Sequence, residues 1–213
     1  MVDLPGRIQM NRENATSLLA DVALDCGFHR YRGRLIYSLS DKWNIDFIPS
    51  VNMYPREVLF SPFFKLCSNE VLAMCQSIKI EPDGDNCIYQ YRLAHINKNF
   101  DPVNVLQDQD IARNQMKEEI RSTIVPFSLS RASLSDLLRN DLAMWVGEPR
   151  YIRKVALILL TLNRIDECSK YLRQLELDNQ LNSESNDPKL RHSRKVFWKS
   201  LEVRKELSDF LTS

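Results

Sequence analysis

Glycine is scarce in this chain. Only five occur in 213 residues, Gly6, Gly27, Gly33, Gly84 and Gly147, and no two share one phosphate-cradling loop. Such loops need backbone approaches that only glycine tolerates, so P-loop and Rossmann-type dinucleotide chemistry are excluded. The Gly-x-Ser-x-Gly elbow of an α/β-hydrolase is also absent. Histidine is scarcer still, and His29, His95 and His192 each lack a second His, Cys or carboxylate at zinc-ligand spacing. Neither sign of charge is in surplus, with 29 Lys+Arg against 28 Asp+Glu. A chain that neutralises many phosphates carries excess base, so the balance weighs against a dedicated nucleic-acid binder while leaving room for a local basic patch. The longest purely apolar run, Val155–Leu160, falls far short of the roughly 20 residues that cross a bilayer, so no membrane association is expected. From Met1 to Arg7 no basic segment precedes an apolar one, and no signal peptide is expected.

Cysteine is present but patternless. Cys26, Cys67, Cys75, Cys87 and Cys168 are odd in number, irregularly spaced, and each lies in or beside an apolar stretch. They read as reduced, buried small hydrophobes of a reducing compartment, which makes the cytoplasm the expected location. An apolar content of 44 % with 9 % aromatics suffices for a sizeable core.

Hydrophobic spacing then orders the chain. Asn11 to Cys26 has helical periodicity and Gly27 to end it. Tyr31, Leu35 and Tyr37 alternate with polar neighbours around Arg32-Gly33, followed by Trp43, Ile45 and Phe47, with the same phase resuming at Val51 and Met53. Pro49 implies either an edge strand or two strands. Pro55 and Pro62 punctuate what reads as an irregular aromatic connection containing Phe60, Phe63 and Phe64. Ser68 caps a helix through Val71, Leu72, Cys75 and Ile78, residues 81–86 form a turn, and 87–96 alternate as a strand. Beyond about residue 100 the period is helical. Asp101-Pro102 opens a long polar helix to Thr123 that Pro126 ends. Ser133 and Asp136 form a capping pair for the next helix, Glu148-Pro149 opens the most apolar one, Asn163-Arg164 breaks it, and Asp187-Pro188 opens the terminal helix. The expectation is an α+β fold. An N-terminal helix and a small, mainly antiparallel sheet with an inserted helix occupy 1–100, and a helical portion, 101–213, packs with them as one globular unit.

Candidate chemistry is thin. Cys87 and His95 share a strand face on this reading, yet eight residues at about 3.3 Å each hold them about 26 Å apart, so packing roles are favoured over a nucleophile–base pair. Asp83, Asp85 and Asn86 offer too few oxygen ligands for a calcium loop and fit a turn. Asp46 is the sole strand acid and lacks the Glu-x-Lys of a metal-dependent nuclease, while Asp108, Asp110, Glu118 and Glu119 read as the wet face of a helix. Arg30, Arg32 and Arg34 line one face of a continuous strand, or become a basic tip if Arg32-Gly33 turns. Arg191, Arg194, Lys195 and Lys199, with His192 and Trp198 among them, form a basic stripe suited to phosphates or an acidic partner. A charge run is more often simply a solvated face, and Glu202, Glu206 and Asp209 restore neutrality. Phe60, Phe63 and Phe64 offer aromatic anchors for a partner protein, with core packing under the sheet the stronger reading. No catalytic residue, cofactor or metal site is expected.

Ala156-Leu-Ile-Leu-Leu-Thr-Leu-Asn-Arg-Ile-Asp-Glu-Cys-Ser-Lys-Tyr-Leu-Arg-Gln-Leu175 resembles the turn of a tetratricopeptide-type helix pair. No second copy follows at a 34-residue period, so the resemblance implies one isolated helical hairpin over 150–177. A helix ending in Cys26-Gly27-Phe28, followed by Arg34-Leu-Ile-Tyr37, Trp43-Asn-Ile-Asp-Phe47 and a helical tail, resembles a group of small bacterial α+β proteins of unassigned function. Several of these look like immunity proteins that neutralise toxins delivered by neighbouring cells. That resemblance implies a non-catalytic inhibitor of one partner protein, and it carries no functional residue across. A nucleic-acid-associated protein using the basic terminal helix is the alternative.

Overall fold

A computed structural model describes residues 10–80, 87–145 and 147–211. The architecture is α+β, with an N-terminal helix, an antiparallel five-stranded sheet interrupted by one helix, and a helical C-terminal half. Packing gathers the chain into two compact units, Met1–Cys67 with Cys87–Ser130, and Ser68–Asn86 with Arg131–Ser213.

The first unit begins with α1 (Arg12–Asp25), whose Asn11 cap accepts from the Asn14 amide at 2.8 Å. Its buried face is Ala15, Leu19, Ala20, Val22 and Ala23. Gly27 ends the helix at φ +95°, where its amide reaches Leu24 and that of Phe28 reaches Ala23, the paired bonds of a Schellman turn. Strands β1 (His29–Tyr31) and β2 (Arg34–Ser38) form a hairpin in which Tyr31 faces Arg34 across Arg32-Gly33. Both turn residues have positive φ, 49° and 78°, as a two-residue hairpin of this twist requires. The arginines therefore separate: Arg32 lies over the Tyr31 ring, and Arg34 donates to the buried Asp46 at 2.9 Å.

Pro49 splits the next run into two strands, β3 (Trp43–Ile48) and β4 (Val51–Tyr54). β4 pairs with β5 (Glu57–Phe60) in a separate two-stranded sheet, while β6 (Phe63–Ser68) and β7 (Cys87–Arg92) complete the main sheet in the order β1-β2-β3-β6-β7. The segment read as an irregular connection is thus a hairpin followed by a strand. Its Phe64 joins a chain of rings that crosses β3, β6 and β7 and ends on α5: Phe28 to Phe47, Phe47 to Phe64, Phe64 to Tyr91 and Tyr91 to Phe127, with ring centroids 4.9–5.8 Å apart.

Three further expectations change. The alternation over 87–96 ends at Arg92, and Leu93–Ile96 turns into a short helix, α3, that buries Leu93. Asp101-Pro102 does not start the polar helix. Asn104 is buried instead: its carbonyl accepts from the amides of Val58 and Leu106, and its amide donates to Arg56, each at 3.0 Å. Those bonds tie the segment to the β4–β5 hairpin, and Asp108 becomes the cap of α4 (Gln109–Glu119), accepting from Ile111 at 2.9 Å. Pro126 does not end the helical run either. A π-type turn over Ile120–Ile124 closes a bond from the Val125 amide to Ile120, and α5 (Val125–Leu129) continues through the proline. The widened turn leaves room for a ring that would otherwise meet the carbonyl four residues back.

The second unit contains α2 (Asn69–Ser77), capped by Ser68, together with α6 (Leu134–Trp145), α7 (Pro149–Thr161), α8 (Ile165–Asn179), α9 (Arg191–Glu206) and α10 (Ser208–Leu211). The apolar α7 is its centre. It buries Ile152 and an unbroken run from Val155 to Leu160, because α2, α6, α8 and α9 all pack on it. Asn163, at φ 57°, closes α7 with its amide on Leu160 and that of Arg164 on Leu159. Ion pairs then join helices: Arg153 of α7 with Glu202 and Glu206 of α9, and Arg204 of α9 with Glu176 of α8. Among the described residues no helix is long and apolar enough to cross a membrane.

Candidate functional site

The basic stripe of the terminal helix survives folding as an exposed face. Asp187 accepts from the Lys189 amide at 2.9 Å and opens a 3₁₀ turn, Pro188–Leu190, that runs into α9. At 3.6 residues per turn, Arg191, Arg194, Lys195 and Trp198 fall within an arc of roughly 100°. Val196, Ser200 and Val203 occupy the opposite, buried side. Trp198 is 53 % exposed, whereas Trp43 and Trp145 are buried. An open groove of about 340 Å³ runs beside the indole, bounded by Arg194, Lys195, Lys199, Glu202 and Pro149.

Two of the four predicted cations are already engaged. Arg194 is half-buried and donates to the Ser185 carbonyl at 2.7 Å. Lys199 pairs with Glu202 at 2.9 Å, and Glu202 also meets Arg153 at 3.3 Å. Arg191 and Lys195 are exposed and make no ion pair with the described residues. The indole N–H of Trp198 donates to Ser183 at 3.3 Å, so the segment just ahead of α9 holds both Trp198 and Arg194. His192 meets the Gly147 carbonyl at 3.0 Å and fixes the start of the helix to the α6–α7 connection. The face therefore offers two exposed cations without an ion pair among the described residues, one cation held by a carbonyl, a hydrogen-bonded indole and, at the far end, a carboxylate paired with Lys199 and Arg153.

The other predicted anchors go elsewhere. Phe60 and Phe64 are buried at 3 % and 0 % exposure, which removes them as partner contacts. Phe63 is half-buried beneath the Arg92 guanidinium, 4.2 Å from its ring centroid. His95 sits in the short helix α3, off the strand that carries Cys87, so they share no strand face. Asp83, Asp85 and Asn86 lie outside the described residues. Among the described residues no three His, Cys, Asp or Glu side chains gather as metal ligands.

A second hollow, of about 430 Å³ between α6, α7 and α8, has apolar walls that include Leu138, Val155 and Leu159. Its rim charges are mutually satisfied, Arg164 with Glu167 and Arg139 with Asp136. The pairing holds the Glu167 carboxyl below the usual carboxylate range. The Tyr171 hydroxyl is buried out of reach of solvent. This hollow offers no accessible recognition group comparable with the α9 face.

Sequence reasoning found the cations and Trp198. It missed Glu202 as part of the face, along with Pro149 and Arg153, which come from another helix, and the Ser183 and Ser185 carbonyls, since backbone acceptors leave no residue signature. No protein-family model matches the chain, and no curated protein and no solved structure matches it.

Proposed function

We propose that the chain is a non-catalytic protein-interaction module, a bacterial immunity or inhibitor protein that binds and neutralises one partner toxin. The observation that carries the binding role is the exposed Trp198 indole, held by Ser183 and framed by Arg194, Lys195 and Lys199. Tryptophan and arginine dominate the residues that anchor protein interfaces, and a side chain already fixed loses little entropy on docking. The immunity role rests on the resemblance carried by Cys26-Gly27-Phe28, Arg34–Tyr37 and Trp43–Phe47.

Affinity capture from the native cell, at about 0.15 M salt where long-range surface attraction is screened, tests the reading. One protein should be retained at equal stoichiometry, and it should arrest growth when expressed alone but not when expressed together with this chain. Retention of no stoichiometric protein ends the proposal. Binding to generic DNA or RNA that collapses between low and moderate salt would transfer the face to nucleic acid.

A further inference from the structure

Resting on that reading, we propose that the partner element seated on α9 is an acidic protein segment. Its carboxylates pair with Arg191 and Lys195, its apolar side chain covers the Trp198 indole, and Glu202 marks where its acidic stretch must end. Arg191 and Lys195 are one helical turn apart, so their heads rise from Cβ atoms about 5–6 Å from each other, the separation of neighbouring carboxylates on a facing helix. Both heads are exposed and, among the described residues, unpaired, so a partner carboxylate breaks no existing ion pair. The third cation, Arg194, is held at 2.7 Å by Ser185 and contributes a fixed positive field.

Charge changes along the helix. Its first two turns carry Arg191, Arg194 and Lys195, and then Glu202, held by Lys199 and Arg153, lines the same groove as Trp198. An incoming carboxylate at that end meets Glu202, whose two partner cations, Lys199 and Arg153, are already engaged. A nucleic-acid backbone repeats its charge along its whole length and would run into Glu202, whereas a protein segment can stop. Like charges brought together across an interface cost enough to decide between partners. The groove of about 340 Å³ beside Pro149 and the indole has room for one apolar side chain between the two regimes.

The test uses the full chain, because Trp198 is exposed while Trp43 and Trp145 are buried, so acrylamide quenching reports selectively on α9. Three probes are titrated: a synthetic peptide with glutamates flanking one leucine, its lysine-for-glutamate counterpart, and single-stranded oligothymidylate. The glutamate peptide should protect the indole, and the protection should disappear in Trp198→Phe. Arg191→Glu combined with Lys195→Glu should weaken that peptide about tenfold or more and admit the lysine peptide instead. Glu202→Gln should tighten the glutamate peptide and extend the acidic length it accepts. Protection by the lysine peptide equal to that by the glutamate peptide, absence of protection by both, or preferential and steeply salt-dependent protection by oligothymidylate each overturns the inference. If the captured cellular partner binds the double charge reversal as tightly as the native chain, the inference fails while the binding role stands. Absence of any stoichiometric partner ends the role itself.

Discussion

Asp25 shows how a surface side chain acquires a defined environment without burial. The ammonium of Lys117, 2.8 Å away, and the guanidinium of Arg113 hold its carboxyl below the usual carboxylate range. Because the folded value lies under the unfolded one, the contribution is complete above the unfolded value and is lost as pH falls through the folded value. An NMR titration should place the Asp25 midpoint below that of an ordinary aspartate, and Lys117→Met should raise it, while an unchanged midpoint removes Lys117 as the cause. Cys168 is the opposite case. Burial pushes its thiol up to about 12, so a thiol reagent at pH 8 should leave it unmodified until the chain unfolds. Rapid labelling of Cys168 in the native protein contradicts this. Its apolar setting was readable from neighbouring leucines. The Asp25–Lys117 pair was not, because the partners lie 92 positions apart and nothing local links them.

Elements were most legible where one residue carries the whole signal. Gly27 ends α1, Ser68 caps α2 and Ser133 accepts from Asp136 at the start of α6, each a local hydrogen-bonding event. Asn163 belongs with them, as the left-handed residue that lets α7 and α8 pack as a pair across a short turn. Asn163→Val should cost about 1–2 kcal/mol in denaturant unfolding, since a β-branched residue pays for positive φ, and Asn163→Gly should be tolerated. Equal stability of the two variants would refute that account. Legibility failed where a tertiary bond outbid a local preference. Asp101-Pro102 is a sound helix opening, yet the buried Asn104 spends its side chain on Val58, Leu106 and Arg56, and the helix waits for Asp108. Asn104→Ala strands those backbone groups and should destabilise the chain by about 2 kcal/mol, or more if both amides remain unsatisfied. Pro126 misled for a related reason, because a π-type turn has no sequence signature of its own.

At the scale of the whole molecule, the chain leaves its first unit after Cys67, returns at Cys87 and leaves again after Ser130. The succession of elements was written in the periodicity, since strands and helices each announce their spacing. Which helix joins which core was not, because that is settled by complementary faces such as those of α2 and α7. The functional face divides in the same way. Its cations and Trp198 are one contiguous run of α9, visible as a stripe, while Pro149, Arg153 and the two serine carbonyls that shape it arrive from elsewhere. Net charge gave no warning of it, because a local basic face fits within a chain of formal charge +1. The most direct measurement is calorimetric titration of the captured partner with the native chain and with Trp198→Ala. Loss of about 2 kcal/mol, roughly thirtyfold in affinity, is what an interface anchored on that indole predicts. Equal affinity for the two would contradict it.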